Sequence, residues 1–155
     1  MMSKFIINTS WLLVMIAISG LIYVRFSAHD TALVHVMPPT GATTDSPVIN
    51  EGSASFLYLS ENKPEALWDN ISSVVLSTPR TQKIAGSEKS GMITYVTRTR
   101  VFGFPDYTTI LVSQNAEKTQ VRMFGRLRFG RSDFGVNAAR LKGWVLALKA
   151  LDQPR

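Results

Sequence analysis

Residues 119–140, TQVRMFGRLRFGRSDFGVNAAR, decide the fold of this chain. The first half alternates apolar and polar residues with a period of two, which predicts a strand over 119–129. The second half begins a helix predicted over 134–151, whose apolar residues recur every three or four positions. These apolar residues are Ala138, Leu141, Trp144, Val145, Leu148 and Leu151. The stretch therefore predicts a strand that runs through a short turn into an amphipathic helix.

The two faces of the predicted strand differ in charge. One face carries Val121, Met123, Gly125, Leu127 and Phe129, and the other carries Gln120, Arg122, Phe124, Arg126 and Arg128. Arg98 and Arg100 share one face of an earlier predicted strand in the same way. Such a row of guanidinium groups can engage phosphate or carboxylate groups by paired hydrogen bonds. The alternative, which this pattern favours, is a solvated face that only keeps an antiparallel sheet soluble.

The turn after the strand also has two interpretations. Asp133 or Ser132 can accept the first free N–H groups of the final helix, and Asn137 can help to tie the strand to the helix. Alternatively, Arg128 and Arg131 flank a helix N-terminus that receives an anion. The Asp133 carboxylate would compete for the same N–H groups, which favours the structural interpretation.

The remaining pattern completes an α+β domain over residues 55–155. Further strands are predicted over 56–59, 81–88, 92–101 and 107–114, and a helix begins near residues 60–62 and ends before Pro79. An antiparallel sheet of about five strands with two helices on one face is the simplest packing of these elements. The other face of the sheet would then be open to water or to a partner.

The N-terminal segment differs in composition from this domain. Residues 5–24 contain no charged side chain, and twenty residues in a helix span about 30 Å, the thickness of the hydrocarbon core of a bilayer. A cleaved signal peptide would be shorter, with small residues at its cleavage site, but the bulky Phe26 lies just before the candidate cut after Ala28. We therefore expect an uncleaved signal anchor, a transmembrane helix over residues 1–25, followed by a disordered tether over residues 26–54.

Charge bears on location and on partners. The net charge is +6, and residues 98–155 carry eleven Lys or Arg against four Asp or Glu. Lys4 and the amino terminus precede the apolar segment and only Arg25 follows it closely, so the charges lean slightly towards an inside N-terminus. This predicts a single-pass protein of a bacterial inner membrane with its domain on the periplasmic side. The expected partners are then the membrane itself, anionic lipid or an acidic protein, and not nucleic acid.

Catalytic residue sets are not expected in the domain. Both histidines, His29 and His35, lie in the predicted tether and there is no cysteine, which excludes a Ser-His-Asp triad within residues 55–155. No cluster has the spacing of a metal site, so neither a metal nor a cofactor is expected. The catalytic alternative is a hydrolase that uses Asp106 and Asp133 as acid and base.

A loop between two of the strands contains two phenylalanines. Phe102 and Phe104 are expected to plug one end of the core, and Asp106 to cap the turn. A membrane-touching aromatic loop is the alternative.

Three motifs in the domain carry a resemblance. They are Pro79-Arg80-Thr81, Phe102-Gly103-Phe104-x-Asp106 and Arg128-x-Gly130-Arg131-Ser132-Asp133-x-Gly135-x-Asn137-x-x-Arg140. Together they resemble the domain-of-unknown-function family numbered fourteen ninety-nine, which occurs in bacteria and in chloroplast-containing organisms. The chain departs from that family at Tyr107, where a second acidic residue is expected, and at Phe124, where another arginine is expected. The family has no established activity, so the resemblance implies relatives and a structural motif but no mechanism.

These observations lead to one functional hypothesis and one alternative. The hypothesis is a membrane-tethered, non-catalytic binding module whose basic sheet face and turn engage a lipid headgroup, a cell-wall polymer or an acidic protein. The residues expected to bind are Arg122, Arg126, Arg128, Arg131 and Ser132, while Asp106, Asp133, Asn137 and Arg140 form the structural motif. The alternative is a structural or assembly subunit of a membrane protein complex.

Overall fold

A computed structural model describes residues 2–115 and 118–152 of the chain. The helices and strands in these residues form an α+β fold. The helices are α1 (Met2–Phe26), α2 (Thr31–Val34), α3 (Pro64–Leu76) and α4 (Val136–Leu151). The strands are β1 (Val48–Asn50), β2 (Ser53–Ser60), β3 (Thr81–Ser87), β4 (Met92–Arg98), β5 (Pro105–Asn115) and β6 (Lys118–Leu127).

The six strands form one antiparallel sheet in the order β1-β2-β6-β5-β4-β3. Strands β3 to β6 are a meander, and β2 pairs with β6 so that Ala54 lies opposite Gly125. The predicted α+β class with an antiparallel sheet is confirmed. The sheet has six strands instead of about five because the short β1 lies in the segment that was expected to be a tether.

One face of the sheet, the inner face, packs against α3 and α4. The period-two pattern of β6 holds here, since Val121 and Met123 are fully buried in the core. Gly125 lies on the same face, where an added Cβ atom would stand 3.0 Å from the side chain of Asn137. The absence of a side chain at Gly125 therefore lets the first turn of α4 approach the sheet closely.

The other face, the outer face, is covered by residues 27–38, which we call the covering segment. The Val34 carbonyl accepts a hydrogen bond from the Arg126 guanidinium, and the His35 Nδ1 atom lies 2.9 Å from the Thr94 hydroxyl oxygen. Thr94 and Thr109 are buried although they point away from the helices. The structure thus differs from the expected open face and from a disordered tether over residues 26–54. The covering segment is held mainly through polar groups and backbone carbonyls, for which a hydrophobic pattern gives no signal.

Helix α1 is long and apolar enough over Lys4–Phe26 to cross a bilayer. The most apolar part of this span is not buried in the protein, and a helix of this kind serves either as a membrane anchor or as a signal sequence. Its last turn reaches the end of the sheet, where the Tyr23 ring lies edge-on to Phe129 with ring centroids 6.5 Å apart.

The loop between β4 and β5 does not plug the core as predicted. Phe102 is 51% exposed and Phe104 is half-buried. The loop turns at Gly103, whose φ angle is 71°, and this turn carries Phe102 beyond the end of the sheet to the side of α1. The two rings contact each other at an interplanar angle of 53°, with centroids 5.8 Å apart, instead of entering the layer between sheet and helices.

Candidate functional site

Two of the arginines predicted for binding hold the covering segment. Arg126 donates to the Val34 carbonyl, and burial lowers the pKa of its guanidinium. Arg128 donates from Nη1 to the Ala28 carbonyl at 3.1 Å and to the Tyr107 hydroxyl at 3.2 Å. Both side chains therefore lie on the outer face, as the alternation predicts, but their hydrogen bonds are directed to the protein itself.

The other three predicted residues lie in different surroundings. Arg122 has a buried Nε atom without a hydrogen-bond partner in the described part of the chain. Arg131 is almost fully exposed and lies 3.4 Å from the Glu51 carboxylate. The Ser132 hydroxyl accepts a hydrogen bond from the Phe134 backbone N–H, which stabilises the turn. The five predicted residues therefore do not form one continuous open surface.

His29 attaches the covering segment to the end of the sheet. The Arg98 Nη2 atom lies 3.1 Å from His29 Nε2, and His29 Nδ1 lies 2.9 Å from the Tyr107 hydroxyl. Because a guanidinium only donates, Nε2 is the acceptor and the ring proton lies on Nδ1, which donates to Tyr107. Burial, with the charges of Arg98 and Arg128, lowers the pKa of His29. Sequence reasoning missed this role because His29 was assigned to a disordered tether.

A pocket of about 170 Å³ lies at the same end of the sheet. Four arginines line it, Arg25, Arg80, Arg98 and Arg100, together with Gln82, Val96, Thr99 and Gly103. We call it the arginine pocket. The four arginines come from the end of α1, from the residue before β3, from the end of β4 and from the loop after it, so the fold gathers them from distant parts of the sequence.

Backbone contacts fix two walls of the arginine pocket. The Arg80 side chain donates from Nε to the Arg98 carbonyl at 3.0 Å, and the Arg98 N–H donates to the Arg80 carbonyl at 3.0 Å. Arg98 donates from Nη1 to the Gly103 carbonyl at 3.1 Å. Arg25 lies over Gly103, so that a Cβ atom there would come within 3.1 Å of the Arg25 Nη1 atom. Gly103 is thus required both by its positive φ and by the close approach of Arg25.

The arginine pocket keeps its positive charge. In residues 2–115 and 118–152, none of its four arginines forms an ion pair with a carboxylate. The acceptors that they use are carbonyl oxygens and a neutral imidazole, which satisfy N–H groups without cancelling charge. Tyr107, which stands where the family resemblance implies an acidic residue, likewise accepts from His29 and Arg128 as a neutral hydroxyl. Guanidinium groups whose charge is not cancelled in this way can form paired hydrogen bonds with phosphate or carboxylate groups.

The structural motif of the sequence forms a second polar cluster, at the first turns of α4. The Arg140 Nη2 atom lies 3.0 Å from Asp106 Oδ2, and these side chains are 10% and 7% exposed. Arg140 also donates from Nη1 to Asn137 Oδ1 at 2.7 Å. Burial raises the pKa of Asp106, and Arg140 opposes this effect. Asp106 thus ties β5 to α4, whereas the sequence suggested that it caps a local turn.

Asp133 closes the N-terminus of α4. Its carboxylate accepts hydrogen bonds from the backbone N–H of Gly135 at 3.1 Å and of Asn137 at 2.8 Å. These backbone bonds lower the pKa of Asp133 although burial acts in the opposite direction. The helix N-terminus is therefore occupied by the protein's own carboxylate and is not available to an external anion.

Asp106 and Asp133 line one pocket of about 350 Å³, together with Phe104, Phe129 and Phe134. The fold thus brings together two carboxylates that the sequence did not place next to each other. Both carboxylates already have partners within the protein, since Asp106 forms an ion pair with Arg140 and Asp133 accepts hydrogen bonds from two backbone N–H groups. A hydrolase would need one of them free to activate water, so this geometry does not favour the hydrolase alternative.

Asp152, just after α4, was also missed by sequence reasoning. Its carboxylate accepts from the Tyr58 hydroxyl, from the Ser60 hydroxyl at 2.5 Å and from the Asn62 amide at 2.6 Å. Burial and the neighbouring Asp152 raise the pKa of Tyr58. The three donors belong to β2 and the loop after it, so Asp152 fastens the end of α4 to the sheet.

Comparison with known proteins gives a family and a few structural similarities. The model of a family described as "Protein of unknown function (DUF1499)" matches residues 32–148. The chain is similar in structure to the protein MLL2253 from Mesorhizobium loti, with a TM-score of 0.49 and 11% identity over 65% of this chain and 99% of that chain. An uncharacterized protein from Bacillus thuringiensis gives a TM-score of 0.43 and 13% identity over 64% of this chain and 96% of that chain. No curated protein matches the chain.

Proposed function

The chain belongs to the family of proteins of unknown function DUF1499, and we propose that it acts as a membrane-tethered, non-catalytic binding module for an anionic partner. In this proposal α1 is an uncleaved signal anchor. Lys4 and the amino terminus before its apolar part, against Arg25 after it, favour a domain on the periplasmic side of a bacterial inner membrane. The partner is a lipid headgroup, a cell-wall polymer or an acidic protein.

The observation that carries the proposal is the gathering of Arg25, Arg80, Arg98 and Arg100 around one pocket. Sequence reasoning placed the binding surface on the outer face of β6. Arg126 and Arg128 on that face use hydrogen bonds to hold the covering segment, so the proposed surface moves to the end of the sheet. There, Arg80 and Arg100 are exposed to solvent, and a partner can reach their guanidinium groups without displacing the protein's own chain.

Salt-sensitive binding tests this function. The full-length chain is placed in nanodiscs of neutral lipid and titrated with three anionic probes: polyglutamate, polyglycerol phosphate and vesicles that contain phosphatidylglycerol. We expect binding of at least one probe at low salt that weakens as salt screens the charges. The double variant Arg80→Gln/Arg100→Gln should bind less. Its matched control, Lys142→Gln/Lys149→Gln, removes the same charge from the surface of α4 and should bind as the wild type does.

Two results would count against the proposal. Absence of binding to all three probes at low salt would remove it. Equal losses in the arginine variant and in the lysine control would show that only net charge matters, and would remove the assignment to the arginine pocket.

A second candidate function, assembly into a membrane complex, is favoured by Phe134. This side chain is 94% exposed and its residue has a φ angle of 52°, which is unusual for a bulky residue and costs conformational energy. Residues held in such strained conformations cluster at functional sites, so the exposed Phe134 ring is a candidate contact with a partner. Crosslinking in cells followed by mass spectrometry would support assembly if one stoichiometric membrane protein is captured by the wild type and lost in Phe134→Ser. Capture that is unchanged in this variant would argue against it.

A further inference from the structure

The depth of the domain relative to a bilayer follows from α1 under the proposed anchoring. Residues 5–24 are uncharged, and as a helix they match the roughly 30 Å of a hydrocarbon core. Arg25 is the first charged residue after this stretch, so its guanidinium lies where the hydrocarbon ends and the phosphate groups of the lipids begin.

The loop between β4 and β5 lies nearer to the centre of the bilayer than the Arg25 guanidinium does. Val101 and Phe102 share a surface pocket with Ile18, Leu21 and Ile22 of α1. Ile18 lies six residues before Val24, or about 9 Å along a helix. Val101 and Phe102, which are 74% and 51% exposed, are therefore positioned to enter the outer part of the bilayer, where such residues are favoured.

Arg25 joins this apolar pocket to the arginine pocket, because it lines both. The result is an apolar surface within the hydrocarbon and, directly above it, a cationic pocket at the level of the phosphates. This order of chemistry matches one lipid molecule, in which an acyl chain continues into a charged phosphodiester. A soluble anion would use only the upper half.

The size of the arginine pocket limits what it can hold. Its volume is about 170 Å³. This suits a single phosphate group with part of its substituents, and is small for a folded segment of a partner protein. Arginine forks fit phosphate oxygens by paired hydrogen bonds.

We propose that the arginine pocket binds the phosphodiester of an anionic glycerophospholipid in the membrane that α1 spans, while Val101 and Phe102 insert beside its acyl chain. The inference deepens the proposed function and rests on it. Arg98 is held by the Gly103 carbonyl and by His29 and forms the floor of the site. Arg80, which is held through its Nε atom, keeps its two Nη groups for the phosphate, and it meets the phosphate together with Arg100 from the side exposed to water.

Native mass spectrometry of the full-length chain in a sugar detergent tests this assignment. The probes are phosphatidylglycerol, diacylglycerol with the same chains, and soluble glycerol phosphate. We expect one phosphatidylglycerol to be retained per chain, with no retention of diacylglycerol and weaker binding of glycerol phosphate. Arg80→Gln/Arg100→Gln should weaken phosphatidylglycerol binding by about 30-fold, the effect of two basic residues near an anionic lipid. The control Lys142→Gln/Lys149→Gln should not weaken it.

A second variant, Phe102→Ser, keeps every charge and separates the lipid from a soluble phosphate. It should weaken phosphatidylglycerol binding and leave glycerol phosphate binding unchanged. Glycerol phosphate bound as tightly as the lipid, with no effect of Phe102→Ser, would overturn the lipid assignment in favour of a soluble phosphate ligand. Lipid retention that is equal in the arginine variant and the wild type would overturn the assignment to this pocket.

Failure of this inference can be told from failure of the proposed function. A chain that retains no phosphatidylglycerol but still binds polyglutamate or polyglycerol phosphate through Arg80 and Arg100 would refute the lipid ligand only. A chain that binds none of these probes would refute both.

Discussion

Replacing Arg140 by methionine tests the buried ion pair that joins β5 to α4. In the wild type, Arg140 donates to Asp106 at 3.0 Å and to Asn137 at 2.7 Å, and the side chains of the ion pair are 10% and 7% exposed. Arg140→Met leaves the Asp106 carboxylate buried without its cation. Removing one partner of such a pair typically costs about 3–5 kcal/mol of unfolding free energy, a large part of the roughly 5–15 kcal/mol available to a domain.

The loss should depend on pH in a direction that the structure fixes. Burial raises the pKa of Asp106, and loss of Arg140 removes the charge that opposes this shift. A carboxyl group whose folded pKa lies above its unfolded value binds more protons in the folded state between the two values. The folded state of Arg140→Met is therefore favoured at low pH, and stability falls as pH rises through the raised pKa. The difference from the wild type should be smaller at pH 5 than at pH 8.

The measurement is thermal unfolding of the full-length chain in detergent, in a background of Trp11→Phe, followed by the fluorescence of Trp68 and Trp144. Both rings are buried in the core, so their emission reports on the domain. At pH 8 we expect Tm to fall by at least about 12 °C, since 1 kcal/mol corresponds to about 4–8 °C for a domain of this size. The double variant Asp106→Asn/Arg140→Met should recover most of this loss, because no uncompensated charge remains. A fall of less than about 4 °C, or a double variant as unstable as Arg140→Met, would refute the reasoning.

Three further predictions concern other parts of the fold. Because the pKa of His29 is lowered, the unfolded state binds more protons than the folded state just below pH 6.5. Protection factors of the covering segment against hydrogen exchange should therefore fall as pH falls through this range. His29→Gln should abolish this pH dependence, and persistence of the dependence in the variant would contradict the assignment to His29. Gly125→Ala should lower the free energy of unfolding by about 1–3 kcal/mol, because the new Cβ would press on Asn137. Gly143→Ala, with open space around it, should raise the free energy of unfolding by up to about 1 kcal/mol. Equal effects of the two variants in urea unfolding would refute the packing argument. Asp152→Ala should cost about 1–3 kcal/mol, since three side-chain donors lose a charged acceptor, and an unchanged urea midpoint would show that this contact is dispensable.

The sequence predicted those parts of the fold in which apolar side chains carry the signal. The alternation in residues 119–129 assigned Val121 and Met123 to the core and the arginines to the outer face, and the spacing in α4 assigned Leu141 and Leu148 to the core. At the end of α4 the same spacing was wrong for Leu151, which it assigned to the apolar face but which is 53% exposed. Apolar burial dominates these elements, so a hydrophobic period was sufficient to place them.

The parts that the sequence did not predict depend on polar contacts between distant residues. The covering segment is held by carbonyl oxygens of Ala28 and Val34, and every residue has such a group, so no residue type marks the contact. The pairing of Asp106 with Arg140 joins positions 34 residues apart. The arginine pocket combines residues from α1, β3, β4 and the loops beside the two strands. In the sequence, Arg25 is recognisable only as the charged residue that follows an apolar helix.

The outer face and the arginine pocket are linked by the way in which arginine uses its hydrogen bonds. Arg98, Arg126 and Arg128 hold residues of the covering segment through neutral acceptors. A carboxylate in the same place would satisfy the same N–H groups and also cancel the charge, whereas a carbonyl oxygen or an imidazole leaves the positive field in place. The contacts that close the outer face therefore also keep the end of the sheet cationic. This gives a physical reason why a domain can fold its own N-terminal segment over a row of arginines and still leave the positive charge at the end of the sheet uncancelled.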